Sequence, residues 1–136
     1  MRLLTLTLLA VAFVACTTTG SGAGSNGVTM TVTPERAEPG DNVTLVLRND
    51  SQDELGYNLC TSGLLRRTDG DAWEPVPSDR ACTRELRMLS PRQRATYDLD
   101  LPAGLAPGTY RFETNVQRIE QNVSETVASE SFTVTS

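Results

Sequence analysis

The sequence predicts an all-β fold: two antiparallel sheets packed as a β-sandwich, after a signal peptide and a flexible tether. Three observations predict it. Apolar and polar residues alternate over many short runs, which is the period of a strand with one buried face. Turn-forming Gly, Pro, Asn and Asp separate the runs at near-regular spacing. No window sustains a helical period, and no internal repeat is present.

The chain opens Met1-Arg2, and an apolar run from Leu3 to Val14 follows, broken only by Thr5 and Thr7. A basic start, a short apolar segment and a small residue at the cut make the layout of a secretory signal. A spanning helix needs about 20 apolar residues, more than this run supplies. Phe13-Val14-Ala15-Cys16 resembles the bacterial lipobox, with Phe13 where Leu is usual. The resemblance implies cleavage before Cys16, a diacylglycerol on its thiol and an amide-linked acyl chain. Several chains anchor stably where one does not. Residues 1–15 are thus expected to be the signal peptide. Residues 16–27, built of Thr, Gly and Ser with no apolar residue to bury, are expected to be a lipid-anchored tether. Residues 28–136 are long enough for one sandwich core.

Within that domain Val28, Met30 and Val32 alternate with threonines, and Pro34 to Gly40 reads as a loop. Val43, Leu45 and Leu47 form the second strand, and Asn49-Asp50-Ser51 a turn. Leu55 to Cys60 reads as the third strand. Leu64 to Thr68 and Asp71 to Val76 flank Asp69-Gly70, a strong hairpin signal; Pro75 and Pro77 then stop pairing. Glu85 to Leu89 reads as a short strand. Tyr97, Leu99 and Leu101 alternate with polar residues, and Pro102 to Gly108 is a loop. Tyr110, Phe112, Thr114 and Val116 face inward on a late strand; Gln121-Asn122 lies in the next connection, and Phe132 and Val134 mark the last strand. The expected core is Val28, Met30, Val32, Val43, Leu45, Leu47, Leu59, Leu65, Trp73, Leu86, Tyr97, Leu99, Tyr110, Phe112, Val116, Phe132 and Val134. Pro107-Gly108-Thr109-Tyr110 suggests a tyrosine corner, in which the ring packs inside and the hydroxyl bonds back to the loop backbone.

Composition narrows the function. The chain has no His and no Lys; its 12 basic residues are all Arg. Without His it lacks the commonest general base and the commonest metal ligand. Past the signal, 11 Arg face 17 acids for a net charge of −6, which suits neither nucleic acid nor an anionic lipid surface. With Cys16 assigned to lipid, Cys60 and Cys82 remain, and an exported compartment lets them form a disulfide. No catalytic or metal-binding constellation and no cofactor motif is recognisable. Asp50, Asp53 and Glu54, and Asp69 with Asp71, lack calcium-loop spacing and read as solvated turns. Arg66, Arg67, Arg80, Arg84, Arg87, Arg92 and Arg94 crowd a stretch of net charge +2, a candidate face for an anionic partner. Three Asn-X-Ser/Thr triplets, at Asn42, Asn49 and Asn122, read as chance.

The whole pattern resembles the bacterial immunoglobulin-like domains of exported lipoproteins. The resemblance rests on Gly56-Tyr57, Asp69-Gly70-Asp71-Ala72-Trp73-Glu74-Pro75-Val76-Pro77, Leu89-Ser90-Pro91, Leu105-Ala106-Pro107-Gly108-Thr109-Tyr110-Arg111 and Phe132-Thr133-Val134. Arg92 stands where Gly usually follows that Pro. The resemblance implies the fold and structural roles for Trp73, Pro107, Gly108 and Tyr110; such domains mostly carry no assigned activity. A second resemblance, to a bacterial intracellular proteinase-inhibitor domain, rests on a Trp after a hairpin turn and a late Pro-Gly-Thr-Tyr. The expected function is therefore a non-enzymatic envelope lipoprotein, lipid-anchored and facing away from the cytoplasm. Its domain would bind an envelope protein or polysaccharide. The alternative is an extracytoplasmic protease inhibitor, with residues 77–84 or 118–126 as the inhibitory loop.

The lipid anchor generates a direct test: Cys16→Ser should abolish lipidation and release the protein from the membrane fraction. Fractionation with intact-mass measurement checks it, and retention of the variant with unchanged mass would contradict the anchor.

Overall fold

The structure, a computed structural model, describes residues 25–136; Cys16, the signal peptide and most of the expected tether lie outside the described residues. Eleven strands follow in order: β1 (Val28–Thr33), β2 (Arg36–Ala37), β3 (Asn42–Asn49), β4 (Leu55–Tyr57), β5 (Gly63–Arg67), β6 (Trp73–Pro75), β7 (Arg87–Leu89), β8 (Arg94–Asp100), β9 (Gly108–Arg118), β10 (Val123–Ala128) and β11 (Phe132–Val134). They form two sheets, as expected for a sandwich. One has the order β1-β3-β8 and is antiparallel. The larger runs β2-β11-β9-β4-β7, with β10 and β5 also paired to β9 and β6 paired to β5. β9 is the spine of that sheet. It is long enough to pair with β11 and β10 along one edge and with β5 and β4 along the other.

Alternation decides what each strand buries. Val28, Met30 and Val32 of β1, Val43, Leu45 and Leu47 of β3, and Ala95 and Leu99 of β8 face Tyr110, Phe112 and Val116 of β9 and Phe132 and Val134 of β11. The Phe112 and Phe132 rings stack with centroids 5.8 Å apart, and Tyr110 packs at 6.1 Å from Phe132. The Tyr110 hydroxyl donates to the Ala106 carbonyl at 2.6 Å, which pins the Pro107-Gly108 turn to the strand it opens. Thr114 also faces inward, and its buried hydroxyl has no hydrogen-bond partner.

Several expectations are corrected. Leu64 is buried and Leu65 only half-buried, because Leu64 pairs with inward-facing Phe112 while Leu65 pairs with outward-facing Arg111. Trp73 lies on that outer face too, half-buried, with the Arg111 guanidinium 4.3 Å from its ring centroid; it is a cation–π partner and not core. Leu86 is 50% exposed. It precedes β7 and lies across Gly56, where an added Cβ would meet its Cδ2 at 2.7 Å. Tyr97 is only partly buried against the core. Leu55, Leu89, Leu101, Leu105 and Val127 belong to the core as well. The third strand stops at Tyr57, and a 3-10 turn at Leu59–Thr61 follows. The Pro34–Gly40 loop contains β2, which joins the large sheet parallel to β11. Most of 118–126 belongs to the β9–β10 hairpin rather than to a loop.

Asn49, at the end of β3, is fully buried and uses its whole amide. Its Nδ2 donates to the carbonyls of Asp53 at 2.8 Å and Leu89 at 3.1 Å, and its Oδ1 accepts from the Ser51 amide and hydroxyl. Its backbone bonds Arg92 N and Gln93 O. Nearby, Arg118 reaches Asp53, Glu125 Oε1 at 2.9 Å and the Asn26 carbonyl at 2.9 Å. Asp53 also accepts from Gln121 at 3.0 Å, and the Gln121 and Arg118 bonds hold its carboxyl below the usual range.

Removing only the Tyr110 hydroxyl leaves the Ala106 carbonyl without this partner. Tyr110→Phe should therefore cost about 1–3 kcal/mol, and Tyr110→Ala, which also empties core volume, about 3–5 kcal/mol. Urea unfolding of the two variants checks the order; a silent Tyr110→Phe would mean that the corner bond contributes nothing.

Candidate functional site

After Pro75 and Pro77 deny the chain further ladder pairing, residues 76–86 cross the molecule without regular structure. A segment this irregular holds one conformation only if it is tied. Val76 N donates to Leu64 O at 2.8 Å. Arg80 donates from Nε to the Cys60 carbonyl at 2.9 Å and from Nη2 to the Ser62 carbonyl at 2.7 Å. Cys82 is disulfide-bonded to Cys60, with the two Cα atoms 5.7 Å apart. Asn58 Nδ2 donates to Thr83 O at 2.8 Å. Asn58 also accepts from Cys60 N, capping the 3-10 turn that carries Cys60. The anchor points are thus themselves fixed.

The segment lies alongside β8, which among the described residues has a strand neighbour, β3, on one side only. Two clefts open between them, with Tyr97 on both. The larger, about 340 Å³, has Leu64, Leu99 and Phe112 at its base and Val76, Pro77, Asp79, Arg80, Asp98 and Asp100 around it. The smaller, about 240 Å³, lies beside the disulfide and includes Tyr57, Asn58, Thr83, Glu85 and Arg87. An apolar floor with a few fixed polar groups is the usual make-up of a small binding site. A concave site beside a clamped segment is also where scaffolds place recognition residues.

The site residues expected from sequence do not gather here as a set. Cys60 and Cys82 do, bonded to each other. Pro107, Gly108 and Tyr110 sit at the corner, and Trp73 on the outer face of the β5–β6 hairpin. The arginine-rich stretch divides between the sheets and forms no single face. Arg66 donates to the Pro107 carbonyl at 3.3 Å, Arg67 pairs with Asp71, Arg80 holds the segment, and Arg87 lies 3.8 Å from Glu85. Arg92 and Arg94 lie on the smaller sheet's side. Among the described residues no group of three or more Asp, Glu, His or Cys is placed to hold a metal ion, and Asp53 is engaged by Arg118 and Gln121 instead. Sequence reasoning missed Asn58, and it placed Arg80 in the arginine-rich candidate face and not in this anchoring role. The Asn58-Leu59-Cys60 order carried a readable capping signal; Arg80 carried none, since its acceptors are backbone carbonyls about 20 residues away.

Residues 24–133 match the family model of the bacterial Ig-like domain. The chain belongs to that family. The bacterial Ig-like domain is similar to an X-ray structure from the Northeast Structural Genomics Consortium, at 13% identity and a TM-score of 0.58 over 82% of this chain and 88% of that one. It is also similar to the putative ApaA protein from Bordetella pertussis, at 16% identity and a TM-score of 0.48 over 78% and 87%. At 13% identity the first likeness is one of fold alone. No curated protein matches the sequence.

The Cys60–Cys82 bond closes a loop across the clamped segment. Replacing both cysteines with Ser should lower stability by about 3 kcal/mol and free residues 76–86 first. Amide hydrogen exchange checks the order: the segment should lose protection while β3 and β9 keep theirs.

Proposed function

We propose that this bacterial Ig-like domain is the exposed part of a non-enzymatic envelope lipoprotein, held to a membrane through Cys16 and serving as a binding or accessory module for an envelope protein or polysaccharide. The Phe13–Cys16 motif supports the anchor. The observation that carries the binding role is the clamped segment 76–86 with its clefts along the open side of β8. A disulfide, an arginine and an asparagine fix a stretch of chain that contributes no strand to either sheet. Such a surface reads a partner through the cleft while the sandwich keeps it in shape. The lack of His removes the commonest general base, which suits a non-enzymatic role.

A second reading, an extracytoplasmic protease inhibitor, draws on the same segment, since an inhibitory loop must be exposed and rigid. Arg80 is not available to enter a protease pocket, because its guanidinium is bonded to Cys60 and Ser62.

A photo-crosslinking residue at Asp79, in the intact envelope, should trap one defined partner. The same residue at exposed Glu35, in the β1–β2 connection, should trap none, and the Cys60→Ser/Cys82→Ser pair should weaken the adduct. Equal adducts from both positions would remove the cleft from the proposal. Inhibition of a member of a panel of extracellular proteases would replace it with the second reading.

A further inference from the structure

On the outer face of the three-stranded sheet, at the opposite end of β8 from the cleft rim at Asp98 and Asp100, Arg48 of β3 lies directly across from Arg94 of β8. Like charges facing each other across a strand pair are destabilising. Arg92, in the turn before β8, adds a third. These three and Gln93 are the lining of one shallow depression of about 540 Å³.

Two further observations set the group apart. First, most other arginines of this acidic domain are engaged: Arg66 and Arg80 by carbonyls, Arg67, Arg87, Arg111 and Arg118 by carboxylates. Among the described residues Arg92 and Arg94 make neither an ion pair nor a side-chain hydrogen bond, and Arg48 has only the exposed Asp50 at 2.8 Å. Second, the backbone beneath is fixed while one residue on it is strained. Arg92 has φ 64°, a left-handed conformation that glycine adopts without cost. It is held there by Arg92 N donating to Asn49 O at 2.6 Å, and beside it Asn49 N donates to Gln93 O at 2.9 Å. The chain thus carries an arginine where its own backbone favours glycine, beside two more arginines.

We propose that Arg48, Arg92 and Arg94 form a binding site for a phosphate-class oxyanion. Guanidinium forks match tetrahedral oxyanions through paired N–H···O bonds. Three cations around one depression suit a group with more than one negative charge, which favours phosphate over a single carboxylate. Arg48 exchanges or shares its Asp50 partner when the anion binds. The site is separate from the β8 cleft, so neither depends on the other.

The test uses the full chain in non-ionic micelles, with inorganic pyrophosphate as probe and chloride holding ionic strength constant. Arginine Nε–H resonances report each residue. Saturable shifts are expected at Arg48, Arg92 and Arg94, and not at Arg36 or Arg84, which also lack ion-pair partners among the described residues. Arg94→Gln should weaken binding about three- to tenfold, the range for a charged hydrogen bond discounted for exposure. Arg92→Gly should weaken binding similarly while raising the melting temperature, which separates loss of the site from loss of the fold. Two presentations then distinguish the source. Shifts with phosphatidylglycerol nanodiscs alone support the site and assign its phosphate to a lipid headgroup; shifts with soluble polyphosphate alone support it and assign a polymer. Shifts of equal size at Arg36 and Arg84, or none at the three arginines, would overturn the proposal.

Discussion

The buried amide of Asn49 is the constraint from which much of this structure follows. Its four bonds tie the end of β3, in the small sheet, to the Ser51–Asp53 turn that follows it and to the Leu89 carbonyl of β7, in the large sheet. Its backbone holds the turn that enters β8. The chain entry docks beside it, since Asp50 N donates to Gly27 O at 2.7 Å. Gly27 is so close that a Cβ would meet Ser51 N at 3.1 Å, and its φ of 82° suits glycine. A polar side chain in the core is tolerable only when fully satisfied, and here satisfaction fixes both sheets, two turns and the entry strand at once. As a bare triplet, Asn49-Asp50-Ser51 looks like a turn or a modification signal; its burial makes it a latch.

Period-two alternation made most of the fold legible, because β1, β3 and β9 bury every second residue and β8 follows the same pattern except at half-buried Tyr97. Legibility failed where alternation carries no information. Leu64-Leu65 offers two equal candidates for one inward position, and only the pairing with β9 decides between them. Leu86 and Met88 alternate as a strand would, yet the inward residue is Leu89. Arg36-Ala37 is too short to show a period. In Val123–Ala128 only Val127 is buried, so its polar residues hide a strand whose register comes entirely from β9. The Cys60–Cys82 pairing was legible by elimination. The clefts were not: the larger joins residues near 64, 76–80, 97–102 and 112, the smaller residues near 57–60, 81–87 and 96–97, and only the sandwich brings them together.

The chain uses one cation type for two different tasks. Arg80 donates to two backbone carbonyls and Arg66 and Arg118 to one each, closing gaps that a long, planar multiple donor closes well. Arg118 does so while nearly buried between Asp53 and Glu125, and a buried cation persists only with such partners. Others stand at the surface without local carboxylates. Sequence counts see only an acidic domain with an arginine-rich middle; the division between structural donors and free cations appears only in three dimensions.

The open side of β8 has a consequence for molecules held at high local density. An unguarded strand edge invites the same edge of a second copy, and that pairing grows into aggregates. Here the flank is occupied by a stretch that cannot extend a ladder: it begins at two prolines and is cross-linked into an irregular path. Reduction of the bridge would loosen the stretch beside this seven-residue edge and leave the edge more open to a second copy where molecules are crowded.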